Sequence, residues 1–179
     1  MSIYHGGGVF VTRTIERRSA STKSLLSLNR EVLKTLGALR GAAHSEYIQA
    51  SADGQFYFLE SACRVGGANI AEAVQFATGI NLWAECARIE VAHLRGAPYQ
   101  LPERRSHYAA VMNCLARQEY PELSAYTDPE VVWRLKKKHH AGLILASPNP
   151  DRLDVLLDSY TQRFAQDFLA VLPPLQKGE

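Results

Sequence analysis

Between His44 and Gly67 the chain reads HSEYIQASADGQFYFLESACRVGG, and this stretch restricts the possible folds more than any other. Two strand-like runs, Glu46-Tyr47-Ile48 and Phe56-Tyr57-Phe58-Leu59, flank a small polar cluster containing Asp53-Gly54. That pattern predicts an antiparallel hairpin. Each run carries a carboxylate, Glu46 in the first and Glu60 at the end of the second, and Arg64 and the pair Gly66-Gly67 follow.

Side-chain parity decides what such a hairpin can do. If Asp53-Gly54 is a two-residue loop, Glu46 falls opposite Ser61 and Glu60 points to the other face. If Ala52-Asp53-Gly54 is a three-residue loop with Gly54 left-handed, Glu46 falls opposite Glu60. Opposed side chains on one face have Cβ atoms roughly 4.5–5.5 Å apart. Two carboxylates that close repel one another, and a hard cation such as Mg²⁺ relieves the repulsion while keeping places for water or phosphate.

The residues after Glu60 extend that reading. The Arg64 guanidinium is a planar fork suited to phosphate or carboxylate. Val65-Gly66-Gly67-Ala68 permits close backbone approach, and Asn69 is placed to cap a helix running through Ile70, Val74 and Phe76 to a stop at Gly79. Helix N-termini bind anions. The plain alternatives are two glutamates on a solvated strand face and a strand-to-helix turn that holds no ligand.

Glu46 in HSEY, Glu60 in FLES, Arg64, and Gly66-Gly67 in RVGG together resemble the C-terminal part of the ATP-grasp superfamily of carboxylate–amine ligases. The segment is similar above all to the amino-acid (dipeptide) ligase branch. The resemblance implies that Glu46 and Glu60 are ligands of Mg²⁺ or Mn²⁺. It implies that Glu46, Glu60, Arg64 and Gly66 bind the nucleotide, and that Arg64 and Gly67 act in catalysis on the transferred phosphoryl group and a developing oxyanion. The implied reaction passes phosphate from ATP to a substrate carboxylate, giving an acylphosphate that an amine attacks. Many family members carry Asn two residues after the second Glu, where this chain has Ala62.

The remaining sequence predicts scaffold. Tyr4-His5-Gly6-Gly7-Gly8 leads into an alternating strand from Val9 to Ile15, in which Arg13 is placed to reach phosphate. Ser21 or Thr22 would cap a helix with Leu25, Leu28, Val32, Leu36 and Leu39 on one stripe, and a second helix runs from Asn81 to Gly96. Pro98 and Pro102 mark a boundary, dividing the chain into 1–97 with the metal and phosphate site and 98–179 as a small α+β subdomain. Strands over His107–Leu115, Val131–Leu135 and Leu143–Leu145 precede a helix opened by Asp151, with Leu153, Leu156, Tyr160, Phe164 and Phe168 on one stripe. The expected class is α+β, a mainly antiparallel sheet flanked by helices, with a tail similar to that of biotin-carboxylase-like relatives.

Several function classes are disfavoured. The run Lys136-Lys137-Lys138 lacks aromatic interleaving and the formal charge is only +2, which argues against nucleic acid. No apolar run suits a membrane span and no signal-peptide pattern opens the chain. Cys63, Cys86 and Cys114 have no paired spacing, so buried thiols and a cytoplasmic location are expected. His139-His140 would point to opposite faces of a strand and so would not share one ion.

At 179 residues the chain is about half the length of a complete ATP-grasp enzyme, given ~100–200 residues per domain. The expectation is a C-terminal portion whose partners are ATP, a carboxylate and amine substrate pair, and a missing N-terminal half or a homo-oligomer partner. The alternative is a non-catalytic ATP-grasp remnant acting as a binding or interaction module.

Overall fold

A computed structural model of the chain describes residues 8–38 and 40–170. Tyr4 to Gly7 of the glycine loop and Leu39 of the first helical stripe lie outside them. The chain forms two compact units that interleave in sequence. The described part of one is residues 8–14, 76–78 and 106–170, and that of the other is residues 15–75 and 79–105. This differs from a division at 97/98 in where the first strand, residues 76–78 and residues 98–105 go.

The first unit is built on an antiparallel sheet with strand order β1-β4-β6-β5. Its strands are β1 (Phe10–Arg13), β4 (Tyr108–Leu115), β5 (Val131–Arg134) and β6 (His140–Ser147). β1 pairs with β4 in the register Phe10↔Asn113 to Arg13↔Ala110. Arg13 forms an ion pair with Asp154, so its guanidinium is occupied within this unit. Helix α4 (Pro150–Asp167) is capped by Asn149, whose side chain accepts from Asp151 N.

The predicted stripe of α4 enters the core as expected: Leu153, Leu156, Tyr160, Phe164 and Phe168 are all buried beside Met112, Leu143 and Leu145. The reason is helical spacing, which puts these residues on one side of the helix. Tyr126, contributed by a loop, is fully buried among them, with edge-on ring contacts to Tyr160 at 4.9 Å and Phe164 at 5.3 Å between centroids. Its hydroxyl donates to Asp167 Oδ2 at 2.9 Å. Asp128 accepts from the Tyr160 hydroxyl and from Arg152, whose Nε also donates to Glu130 at 3.0 Å.

The second unit holds the hairpin, β2 (His44–Gln49) and β3 (Phe56–Ala62), with helices α1 (Ala20–Thr35) and α3 (Leu82–Leu94) and most of α2 (Ile70–Thr78). The cap of α1 is Ser19, accepting from Thr22 N at 3.0 Å, and not Ser21 or Thr22. Thr22 instead donates to Glu16 O at 2.6 Å, which ties the chain ahead of the helix to its first turn. α3 begins at its predicted cap, with Asn81 accepting from Ala84 N. Glu85 is buried on α3 and accepts from the Tyr99 hydroxyl at 2.8 Å and from Arg88. α2 ends at Gly79 in the left-handed conformation, as predicted.

The α+β class and the antiparallel pairing hold throughout. Among the described residues no helix is long and apolar enough to cross a membrane. Of the three thiols only Cys114 is buried, and burial pushes its pKa up to about 11. Cys63 is exposed, contrary to expectation, because the strand has ended and the chain is turning toward α2.

Candidate functional site

Glu46 pairs directly with Glu60 across the hairpin, and the route to that register differs from either loop considered in sequence. Ala50 N donates to Gln55 O at 2.9 Å and Gly54 N to Ala50 O at 2.9 Å, so the loop is the four residues Ser51 to Gly54. Gly54 is left-handed at φ 69°. The register Gln49↔Phe56 to Tyr47↔Phe58, carried one step on, would set Glu46 opposite Leu59. A bulge between Glu46 and Tyr47 leaves Leu59 as the extra residue and brings Glu60 into place. Asp53 locks the turn, its carboxylate accepting from Gln55 N and from the Tyr57 hydroxyl, both at 2.9 Å. Those two donors, the backbone one foremost, hold the Asp53 carboxyl below its ordinary pKa.

The two faces of the hairpin are chemically distinct. On one, Ser45 and Ser61 share a hydrogen bond of 2.9 Å, Tyr47 and Phe58 meet edge-on at 5.6 Å, and the Tyr47 hydroxyl donates to Asn29 of α1 at 2.9 Å. On the other are His44, Glu46, Glu60 and Ala62, with His44 paired to Ala62. Glu60 is exposed and the Glu46 side chain is 41% exposed, so the carboxylates are open to solvent.

Arg64 is exposed, and its Nη1 donates to Val65 O at 3.1 Å. Among the described residues no ion pair joins it to either glutamate. The two glycines have different surroundings. A Cβ on Gly66 would lie 3.2 Å from Ile70 Cγ2 and 3.3 Å from His44 Cδ2, whereas one on Gly67 would meet nothing within 4 Å. Gly66 therefore makes room for packing, and Gly67 faces open space.

Asn69 does not cap α2. It sits at φ 64°, following Ala68 at φ 50°, and its side chain makes no cap hydrogen bond. The turn is closed instead by Ile70 N donating to Gly67 O at 2.9 Å. Two successive left-handed residues without glycine are costly, and such backbone outliers cluster at ligand sites.

Sequence reasoning gave no role to His44. Its Nδ1 is buried without a hydrogen-bond partner and lies 3.9 Å from Glu46 Oε1. A buried polar atom left unpaired costs about 1–3 kcal/mol. The signal was available: His44 and Glu46 are two apart on a strand and so share a face. Among the described residues no three His, Cys, Asp or Glu side chains gather as a metal cluster. The glutamate pair is a two-carboxylate donor set, which suits a hard cation that retains water or phosphate oxygens.

Matched against protein-family models and against curated proteins, the sequence agrees with none of them. Solved structures do share the fold. An L-amino acid ligase from Bacillus licheniformis superposes with a TM-score of 0.62 at 14% identity, over 93% of this chain and 46% of that one. A phosphoribosylglycinamide synthetase from Anaerococcus prevotii gives 0.61 at 14% identity, over 96% and 47%. A multifunctional pyruvate carboxylase from Rhizobium etli gives 0.51 at 19% identity, over 90% and 18%. These are ATP-grasp enzymes, and the fold of this chain is that of part of an ATP-grasp enzyme. The chain spans less than half the length of the structures it matches.

Proposed function

We infer that this chain supplies the metal- and phosphate-binding part of an ATP-dependent carboxylate–amine ligase. The observation that carries the reading is the direct opposition of Glu46 and Glu60 on the hairpin face away from α1. Glu46 and Glu60 would hold Mg²⁺ or Mn²⁺, which when bound neutralises phosphate charge. Arg64 would stabilise charge on the transferred phosphoryl group through its free guanidinium N–H groups. The open side of Gly67 supports an N–H facing a developing oxyanion, and Gly66 would shape the turn that brings phosphate close. Phosphoryl transfer asks for positioning and charge neutralisation rather than covalent help, and these residue types provide both. An acylphosphate on the substrate carboxylate, attacked by an amine, completes the reaction, and a cytoplasmic location belongs to the same proposal.

Partial coverage of the matched enzymes favours a partner that completes the site, either an N-terminal half or a second copy of the chain. It also supports a second reading, a non-catalytic ATP-grasp module that binds without turnover. The separating experiment adds a candidate N-terminal half and measures ATP hydrolysis with mixed amino acids, for the native chain and for Glu60→Gln. Turnover that Glu60→Gln abolishes supports the ligase; turnover indifferent to that change sinks it. Nucleotide binding with no turnover points to the module.

A further inference from the structure

We propose that His44 is a positioning residue for the Glu46 carboxylate, its Nδ1–H donating to that carboxylate when the glutamate pair holds a divalent cation. The inference rests on the function proposed above and adds a residue to it.

Three observations converge on His44. Its Nδ1 is buried and has no partner, so one polar position of the ring is shielded from water with no group meeting it. A carboxylate oxygen, Glu46 Oε1, is 3.9 Å away, about one ångström beyond a normal N–H···O contact of about 2.9 Å. The ring is also held: it stands across the hairpin from the small side chain of Ala62 and against Gly66, where a Cβ would lie 3.3 Å from ring carbon Cδ2. The fixed partner is thus the imidazole and the adjustable one is the half-exposed Glu46 side chain.

A lone carboxylate opposite another swings away from it, as like charges repel. A cation between the two reverses that force. Glu46 then needs its carboxylate plane fixed, and an imidazole N–H on the oxygen lone pairs left over from the metal does this. The absence of a three-side-chain metal cluster among the described residues favours holding the glutamate over ligation by the ring itself.

The test titrates Mn²⁺ into the whole chain by calorimetry, comparing native protein with Glu46→Gln, His44→Phe and His44→Asn. Phenylalanine keeps the ring's bulk without a donor, and asparagine restores an N–H near the place of Nδ1. The expected result is a loss of about 10- to 100-fold in affinity for His44→Phe, with most of it recovered in His44→Asn. Nitrogen NMR of the native chain with Mg²⁺ reads the tautomer directly and needs no substitution at His44. It should show the proton on Nδ1, with a shift on Mg²⁺ addition that Glu46→Gln removes. Native affinity in His44→Phe, or a proton on Nε2 alone in the Mg²⁺-loaded chain, overturns the role of His44. If Glu46→Gln abolishes Mn²⁺ binding while His44→Phe leaves it intact, only this inference fails. A folded native chain with no saturable Mn²⁺ binding, either alone or with the candidate N-terminal half added, sinks the functional reading, and this inference with it.

Discussion

Ser45 and Ser61 face each other with their hydroxyl oxygens 2.9 Å apart, one residue from Glu46 and Glu60 on the opposite side of the same hairpin. The neutral pair and the charged pair alternate along the strands, so each controls for the other. Ser45→Ala is expected to cost about 1 kcal/mol in urea unfolding and to leave Mn²⁺ affinity unchanged. Glu60→Gln is expected to do the reverse: it relieves a like-charge pair, raising metal-free stability by about 0.2–1 kcal/mol, and it removes the metal-dependent rise in melting temperature. Melts with and without Mn²⁺ check both.

Gly66→Ala and Gly67→Ala should separate packing from binding. The first pushes a methyl group against Ile70 and His44 at 3.2–3.3 Å, an overpacking expected to cost about 1–3 kcal/mol. The second meets open space, so the chain should melt as native while its affinity for a nucleotide phosphate falls. Thermal denaturation read beside nucleotide binding in the completed complex distinguishes them.

Gly54→Ala is expected to destabilise the hairpin by about 1–2 kcal/mol, because the position is left-handed at φ 69° and an alanine there meets its own carbonyl. Space is not the cause, since a Cβ would touch nothing within 4 Å. Gly54→Asn, which tolerates this conformation better, should recover part of the loss in the same urea titration.

Much of this hairpin was legible in the sequence and some was not. Two strand-like runs on either side of a small polar cluster mark the strands, and parity limits the loop to alternatives with opposite consequences. The sequence contained no mark of the bulge at Leu59, which corrects the parity of a four-residue loop: an extra residue in a strand looks like any other until its partner strand is known. The α4 stripe was legible because helical period alone defines it. The partner of β1 was not, since strand pairing depends on residues about a hundred positions away. Asn69 has the residue type of a cap, yet the left-handed turn at Ala68 and Asn69 takes its side chain out of cap geometry. His44 shares a face with Glu46 by strand parity, but the burial of its Nδ1 shows only in three dimensions.

Phe164→Ala should cost about 3–5 kcal/mol. Its ring is fully buried and meets Tyr126 and Phe168 edge-on, so a cavity opens in the middle of the aromatic group. Loss of the near-ultraviolet circular dichroism of these rings would follow the change.

Acid should loosen the first unit through Asp128 and Glu130. The Tyr160 hydroxyl foremost, with Arg152, holds Asp128 below its ordinary pKa, and Arg152 does the same for Glu130. A depressed carboxylate pKa stabilises the fold above the ordinary range near about 4, and the contribution disappears as pH falls through the folded value. Tyr160→Phe, which removes the larger cause at Asp128, is expected to move the acid unfolding midpoint upward in pH. An unchanged midpoint would show that this hydroxyl has no part in acid stability.

The pairing of Phe10–Arg13 with Ala110–Asn113 also sets a timetable. During synthesis the first strand leaves the ribosome nearly a hundred residues ahead of β4, its ladder partner among the described residues, while the hairpin and its helices emerge in between. β1 therefore cannot pair until β4 has been made, and until then its unpaired edge is available for misassembly with a neighbouring nascent chain.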